Sequence, residues 1–213
     1  MNFQSDQYSP NTSFTIFPPA VKNLLWINAL FFLGTFNVFS GEMTTVGKFF
    51  FNYLALYPVG SGYFEVWQLV SYMFLHGGFG HIFFNLFALW MFGQAIENYW
   101  GTKRFTVYYF LTGIGAALLH MWIGGAGGPT VGASGAVYGI LLAFGMMFPE
   151  RRIMLLFPPI PLKAKYFVAI FGAIELFSGL TRPGSGVAHF AHLGGMVVGF
   201  ILIKYWGLKG ERS

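Results

Sequence analysis

The sequence predicts an all-α membrane protein: a bundle of six transmembrane helices with a shortened fourth helix and a long membrane-associated loop after the first. Three observations predict it. Of 213 residues, 55% are hydrophobic and 9% charged, where a soluble domain carries about 25% charged residues, so lipid is the better solvent for this chain. Apolar runs recur at 22–40, 78–97, 104–123, 133–148, 164–180 and 187–206, and a span needs about 20 residues. Basic residues fall unevenly between the two sides that six spans create.

Residues 1–21 are polar and read as a cytoplasmic tail. No basic region precedes a short apolar core with a small-residue cleavage site, so the first run reads as a retained span and not a signal peptide. Six spans put both termini on one side. With that side cytoplasmic, it holds Lys22, Lys103, Arg104, Arg151, Arg152, Lys163, Lys165, Lys204, Lys209 and Arg212, while Lys48 and Arg182 lie outside. That is the positive-inside distribution. The net charge of +5 therefore reflects topology. No long basic block is present to hold nucleic acid.

Segment 41–77 becomes a long outer loop. Its aromatics Tyr53, Tyr57, Tyr63, Phe64 and Trp67 suit the headgroup region. Residues 22–206 form one six-helix domain, and 207–213 a short basic cytoplasmic tail. No repeat marks an inverted-repeat transporter. The absence of Cys removes thiolate nucleophiles, thiolate metal ligands and disulfides.

The chemistry starts at Gly132-Ala133-Ser134-Gly135. A Gly-Ser tetrad is common in membrane helices and weak alone. Its position strengthens it. The stretch Gly124-Gly125-Ala126-Gly127-Gly128-Pro129 cannot continue a stable helix. From Ser134 to the Pro149-Glu150 end leaves about 16 residues, or about 24 Å at 1.5 Å per residue, against a hydrocarbon core of about 30 Å. Ser134 then lies below the outer surface, beneath non-helical backbone that must line a wet cavity or be buried in protein. As the start of a helix it sits among free backbone N–H groups that favour an anion.

The sixth run carries Ala191-His192-Leu193-Gly194-Gly195, then Gly199. An intramembrane His is a functional hypothesis by default, with an interhelical hydrogen-bonding His as the plain alternative. Gly195 and Gly199 share one face, as do Gly135 and Gly139 on the fourth run. Such faces let backbones approach closely and could bring His192 within reach of Ser134. The second run places His81 and Asn85 one turn apart, both able to donate hydrogen bonds, as an oxyanion hole requires. The competing reading is a metal site drawn from His76, His81, His189 and His192. No H-E-x-x-H is present and no carboxylate neighbours these residues in sequence, so no metal is expected.

These patterns together resemble the rhomboid family, here the bacterial-type six-helix core. The second run reads Leu75-His76-Gly77-Gly78-Phe79-Gly80-His81, then Asn85, similar to L-H-G-x-x-H-x-x-x-N. The fourth reads Gly132-x-Ser134-Gly135, and the sixth Ala191-His192-x-x-Gly195-x-x-x-Gly199, like the family's G-x-S-G and A-H-x-x-G-x-x-x-G. Each motif is weak alone, and the ordered set on these spans is specific. The resemblance implies an intramembrane serine endopeptidase with Ser134 as nucleophile and His192 as general base and acid, and no carboxylate member. It also implies oxyanion donors from His81, Asn85 and the Ser134 amide, and Tyr138 packed on His192. His76, Gly132, Gly135, Gly195 and Gly199 are its structural motif positions. Glu97 matches a structural Glu at the inner end of the second helix. The fifth helix and the following loop, Phe177 to Val187, resemble the family's gate.

The implied partners are transmembrane protein substrates and the bilayer, with a monomer sufficient and no cofactor. The implied location is the plasma (inner) membrane, with both termini cytoplasmic and the cavity open outward. One departure stands out: the family's Trp-Arg in the outer loop is Trp67-Gln68 here, which loses a charge and a structural anchor. His189 reads as a neighbour facing the cavity or the outer water, and His120 as an interfacial or packing residue. Glu175 has no assigned role beyond pairing with a polar group in the bundle. Two alternatives remain. One is a rhomboid-like pseudoprotease that binds membrane helices, which the presence of both Ser134 and His192 opposes. The other is a small transporter, which the almost purely apolar inner half opposes.

Overall fold

A computed structural model describes residues 14–37, 40–124, 128–155, 159–181 and 187–208. Several expectations fall outside these: most of the two tails, residues 38–39 of the first run, Gly125 to Gly127, and Arg182 with the rest of 182–186.

The described residues form eight α-helices and a two-stranded ribbon. Helix α1 (Pro19–Thr35) opens with Pro at its first position, where the missing N–H costs nothing. No side chain of its own caps it. Its next two N–H groups, of Ala20 and Val21, donate at 2.8 Å each to the two carboxylate oxygens of Glu97, on α4 (Phe79–Trp100). Glu97 is 2% exposed and also accepts from Thr102 Oγ1 at 2.7 Å. One buried carboxylate thus caps α1 and ties it to the junction after α4, giving the expected structural Glu a physical role.

The first apolar run stops as a helix at Thr35, short of the expected residue 40. The chain reverses there: Phe36 pairs with Met43 and Thr44 N donates to Thr35 O at 2.9 Å. The segment 41–77, expected as one long loop, is partly helical. It contains α2 (Thr45–Leu54) and the short α3 (Gln68–Ser71), with 3-10 turns at Val59–Ser61 and Tyr72–Phe74. Helix α2 exposes Val46, Phe49 and Tyr53. Gln68, 1% exposed, anchors the segment by donating to Tyr53 O (3.3 Å) and Tyr63 O (3.0 Å) and accepting from Tyr57 N (3.2 Å). The anchor expected to be lost with the arginine is supplied by a neutral amide that bonds three backbone groups.

Helices α5 (Thr102–Gly124), α6 (Ser134–Met147), α7 (Ala164–Thr181) and α8 (His189–Tyr205) complete the bundle. Between α6 and α7, β1 (Arg152–Met154) pairs antiparallel with β2 (Pro161–Lys163). The all-α expectation misses this ribbon because three-residue strands carry too little alternation to register as a period. Among the described residues, α4, α5 and α7 are long and apolar enough to cross a membrane, while α6 and α8 are shorter apolar helices. With 14 residues, α6 spans about 21 Å.

Helix α6 is the centre of the bundle, packed against α4, α5, α7 and α8. Ten of its fourteen residues are buried. Close approach explains its glycines. A Cβ on Gly195 would overlap the carbonyl of Gly135, so α6 and α8 meet backbone to backbone. Gly139 and Gly199 serve a different neighbour than expected: both face α5, against Thr112 and against Tyr108 and Thr112 respectively. Tyr108 also donates to Gly139 O at 2.8 Å. The two glycine faces therefore admit a third helix as well as each other. Far from Ser134, Trp100, Tyr108 and Trp206 pack edge to face and tilted, and the Arg151 guanidinium lies 3.9 Å from the Phe148 ring centroid.

Candidate active site

Ser134 is the first residue of α6. Two backbone ties hold the strand leading into it: Thr130 pairs with Leu56, and Gly132 N donates to Tyr72 O at 2.9 Å. His120 bonds Thr130 Oγ1 at 2.9 Å, so it braces this entry strand. Gly132 has a φ of +124°, and a Cβ there would lie 2.6 Å from His81 Nε2 and 3.7 Å from Ser134 Oγ. Only glycine fits both the backbone and the space. The position thereby lets the His81 ring close on the serine.

Helix α6's first intrahelical bond is Val137 N to Ala133 O at 3.0 Å. The N–H groups of Ser134, Gly135 and Ala136 precede it and have no helical acceptor. His81 and Asn85 occupy the first two turns of α4. His81 Nδ1 accepts from Gly77 N at 3.2 Å, leaving Nε2 toward Gly132. Asn85 is buried and uses one amide N–H on His81 O at 2.9 Å, leaving its second N–H. His76 is fully buried beside His81, their ring centroids 5.0 Å apart.

Helix α8 brings His192 to Ser134, with Nε2 and Oγ 2.8 Å apart. The ring is 8% exposed and stacks on Tyr138, one turn along α6 from Ser134, at 4.3 Å between centroids and 7° between planes. A hydroxyl, an adjacent base with its ring plane fixed, and a set of N–H donors are the parts a nucleophilic acyl transfer uses.

Sequence reasoning gave Glu175 a polar partner in the bundle without naming that partner. Glu175 is buried on α7, and Oε1 accepts from the Tyr138 hydroxyl at 2.5 Å. Oε2 lies 2.6 Å from His189 Nδ1 and 3.0 Å from His192 Nδ1. A carboxylate within a spanning helix was signal enough to seek a partner.

The metal alternative is likewise redrawn. Among the described residues, the set whose ligand atoms lie within 4.8 Å of one another is Glu175, His189 and His192, not four histidines. His76 and His81 pair with each other instead.

The chain is similar in sequence to known proteins. A family model described as the Rhomboid domain matches residues 63–208. The chain is 29% identical over 152 residues to Rhomboid protein 1, mitochondrial, of Saccharomyces cerevisiae, covering 68% of this chain and 43% of that protein. It is 35% identical over 140 residues to RHOMBOID-like protein 1 of Arabidopsis thaliana, covering 65% and 34%. It is 31% identical over 144 residues to Rhomboid protease GluP of Bacillus subtilis, covering 68% and 27%. The match thus spans less than half the length of each of these relatives.

Proposed function

The chain belongs to the rhomboid family and is an integral membrane protein, and we propose that it is a serine endopeptidase cutting transmembrane segments of other membrane proteins. The observation that carries this reading is the 2.8 Å contact between Ser134 Oγ and His192 Nε2, with the imidazole stacked on Tyr138.

In the proposed reaction Ser134 Oγ attacks the scissile carbonyl carbon while His192 Nε2 takes its proton. The negative charge that develops on the carbonyl oxygen meets the Ser134 N–H, His81 Nε2 and the second Asn85 N–H. His192 then passes its proton to the leaving amine, which leaves an acyl-enzyme ester on Ser134. Water attacks that ester with His192 again as base, and the serine is restored. The chemistry draws on no cofactor. A transmembrane substrate must unwind locally, because its scissile carbonyl is otherwise held in a helix. Helix α7 is the proposed side of entry, with Ile170, Ile174, Phe177 and Leu180 exposed.

The bias of basic residues supports a cytoplasmic location for both termini and an outward opening at the Ser134 end. The plasma membrane is the proposed location. The six helices α1 and α4 to α8 are the proposed spans. The exposed face of α2 would lie in the headgroup layer.

The test is cleavage of a transmembrane substrate in proteoliposomes by the wild type, Ser134→Ala and His192→Ala. Wild-type cleavage lost in both variants supports the reading. Cleavage that survives Ser134→Ala removes it, and a folded wild type inert toward a panel of membrane helices favours a helix-binding pseudoprotease.

A further inference from the structure

We propose that Glu175 completes the site as a positioning residue, holding the His192 imidazole in the tautomer that Ser134 needs. The inference rests on the protease reading above. To take the serine proton, Nε2 must be bare, so the neutral ring carries its proton on Nδ1. A buried N–H without an acceptor costs about 1–3 kcal/mol, and the ring would gain by inverting. Glu175 Oε2 lies 3.0 Å from Nδ1, close enough to become that acceptor.

The oxygen lies off the N–H axis, since among the described residues Nδ1 makes no aligned hydrogen bond. Catalytic hydrogen bonds are often misaligned before substrate binds and tighten with it. The carboxylate itself is held from two other sides, by Tyr138 OH and His189 Nδ1. Tyr138 therefore acts twice: its ring stacks on the imidazole and its hydroxyl fixes the acid behind it. Once His192 has taken the proton, the imidazolium faces the carboxylate in a site shielded from water, where opposite charges attract strongly. This is the role of the buried acid in Ser–His–acid triads.

The spacing argues for protons between these groups and not a metal ion. Tetrahedral ligands at about 2.0–2.1 Å from a metal stand about 3.3 Å apart. Here Oε2 is 2.6 and 3.0 Å from the two ring nitrogens, within hydrogen-bond distances.

The experiment compares wild type, Glu175→Gln and Glu175→Leu in proteoliposomes. It reads kcat and KM on a transmembrane substrate, the rate of fluorophosphonate labelling of Ser134, the thermal midpoint, and 15N-histidine spectra. Gln keeps a neutral acceptor, whereas Leu keeps bulk without one. Expected is a graded loss of kcat, roughly 10-fold for Gln and roughly 100-fold for Leu, larger than any fall in the folded fraction accounts for, with KM unchanged. Labelling slows by the same factors, and in the Leu variant the His192 proton leaves Nδ1. Full kcat in the folded Leu variant overturns the proposal, as does a loss that merely tracks the folded fraction with the tautomer unmoved. Loss of wild-type activity on metal chelation overturns it too. A wild type that is active and labelled beside an unaffected Leu variant sinks this inference alone, whereas a folded wild type that is never labelled sinks the protease reading and this one together.

Discussion

Helices α6 and α7 are neighbours built to opposite standards. Ten of the fourteen residues of α6 are buried, but only Ala164, Phe167, Val168, Glu175 and Gly179 of the eighteen in α7. The first carries Ser134 and Tyr138 on a shaft that α4, α5 and α8 clamp. The second shows Ile170, Ile174, Phe177 and Leu180 to its surroundings and sends one polar side chain inward. The proposed nucleophile and base sit on α6 and α8, which meet at the Gly135–Gly195 contact. The carboxylate behind His192 lies on the more exposed helix, α7. In the proposed mechanism a shift of α7, which packs on both α6 and α8, would change the Glu175 contacts with Tyr138, His189 and His192.

The contrast breaks most sharply at the α6–α8 contact. Gly195→Val puts side-chain atoms into the Gly135 carbonyl. It is expected to lower stability by about 3 kcal/mol and abolish cleavage, as read by unfolding in detergent and by substrate turnover. A matched pair of truncations sharpens it. Leu141→Ala, buried on α6, is expected to cost about 2 kcal/mol through its cavity. Ile174→Ala, exposed on α7, is expected to stay within about 0.5 kcal/mol while changing KM for a transmembrane substrate. Equal costs at the two sites would erase the distinction.

A smaller effect is expected in segment 41–77. Gln68→Ala removes three backbone partners and should cost about 1–2 kcal/mol, with protease nicking of the segment as the readout.

The smallest effect lies at the far end. Hydrogen bonds from Lys163 and Lys165 hold the Glu150 carboxyl down to about 2. A depressed folded-state value means the stabilisation is present above the ordinary carboxylate range. It is lost as pH falls from about 4.5 toward about 2. Glu150 is solvent-exposed, so Glu150→Gln should shift the thermal midpoint only slightly at neutral pH and not at all at the acid end.

The same contrast separates what the sequence revealed from what it did not. Ser134 at the head of a short helix and His192 beside Gly195 rest on spacing within one helix and on glycine periodicity, whereas Tyr138 packed on His192 came from the family resemblance. The partners of Glu175 were not legible, because all three come from α6 and α8 and no local spacing encodes a contact between helices. Gln68 was read as a lost charge because pattern shows which residue type has changed. Only the fold shows that an amide reaches the carbonyls of Tyr53 and Tyr63. The early end of α1 at Thr35 and the helices of segment 41–77 follow from a tertiary reversal that apolar content does not record. Glycine faces were read correctly as sites of close approach, but the partner of Gly139 and Gly199 was α5.

The central claim is that Ser134 is a nucleophile activated by His192. The most direct measurement is fluorophosphonate labelling of the membrane-reconstituted protein, with the modified residue located by mass spectrometry. Expected is a single adduct on Ser134 in the wild type, none in Ser134→Ala, and labelling slowed by roughly 100-fold or more in His192→Ala. An adduct of equal yield in Ser134→Ala, or a His192→Ala protein labelled at the wild-type rate, would contradict the claim.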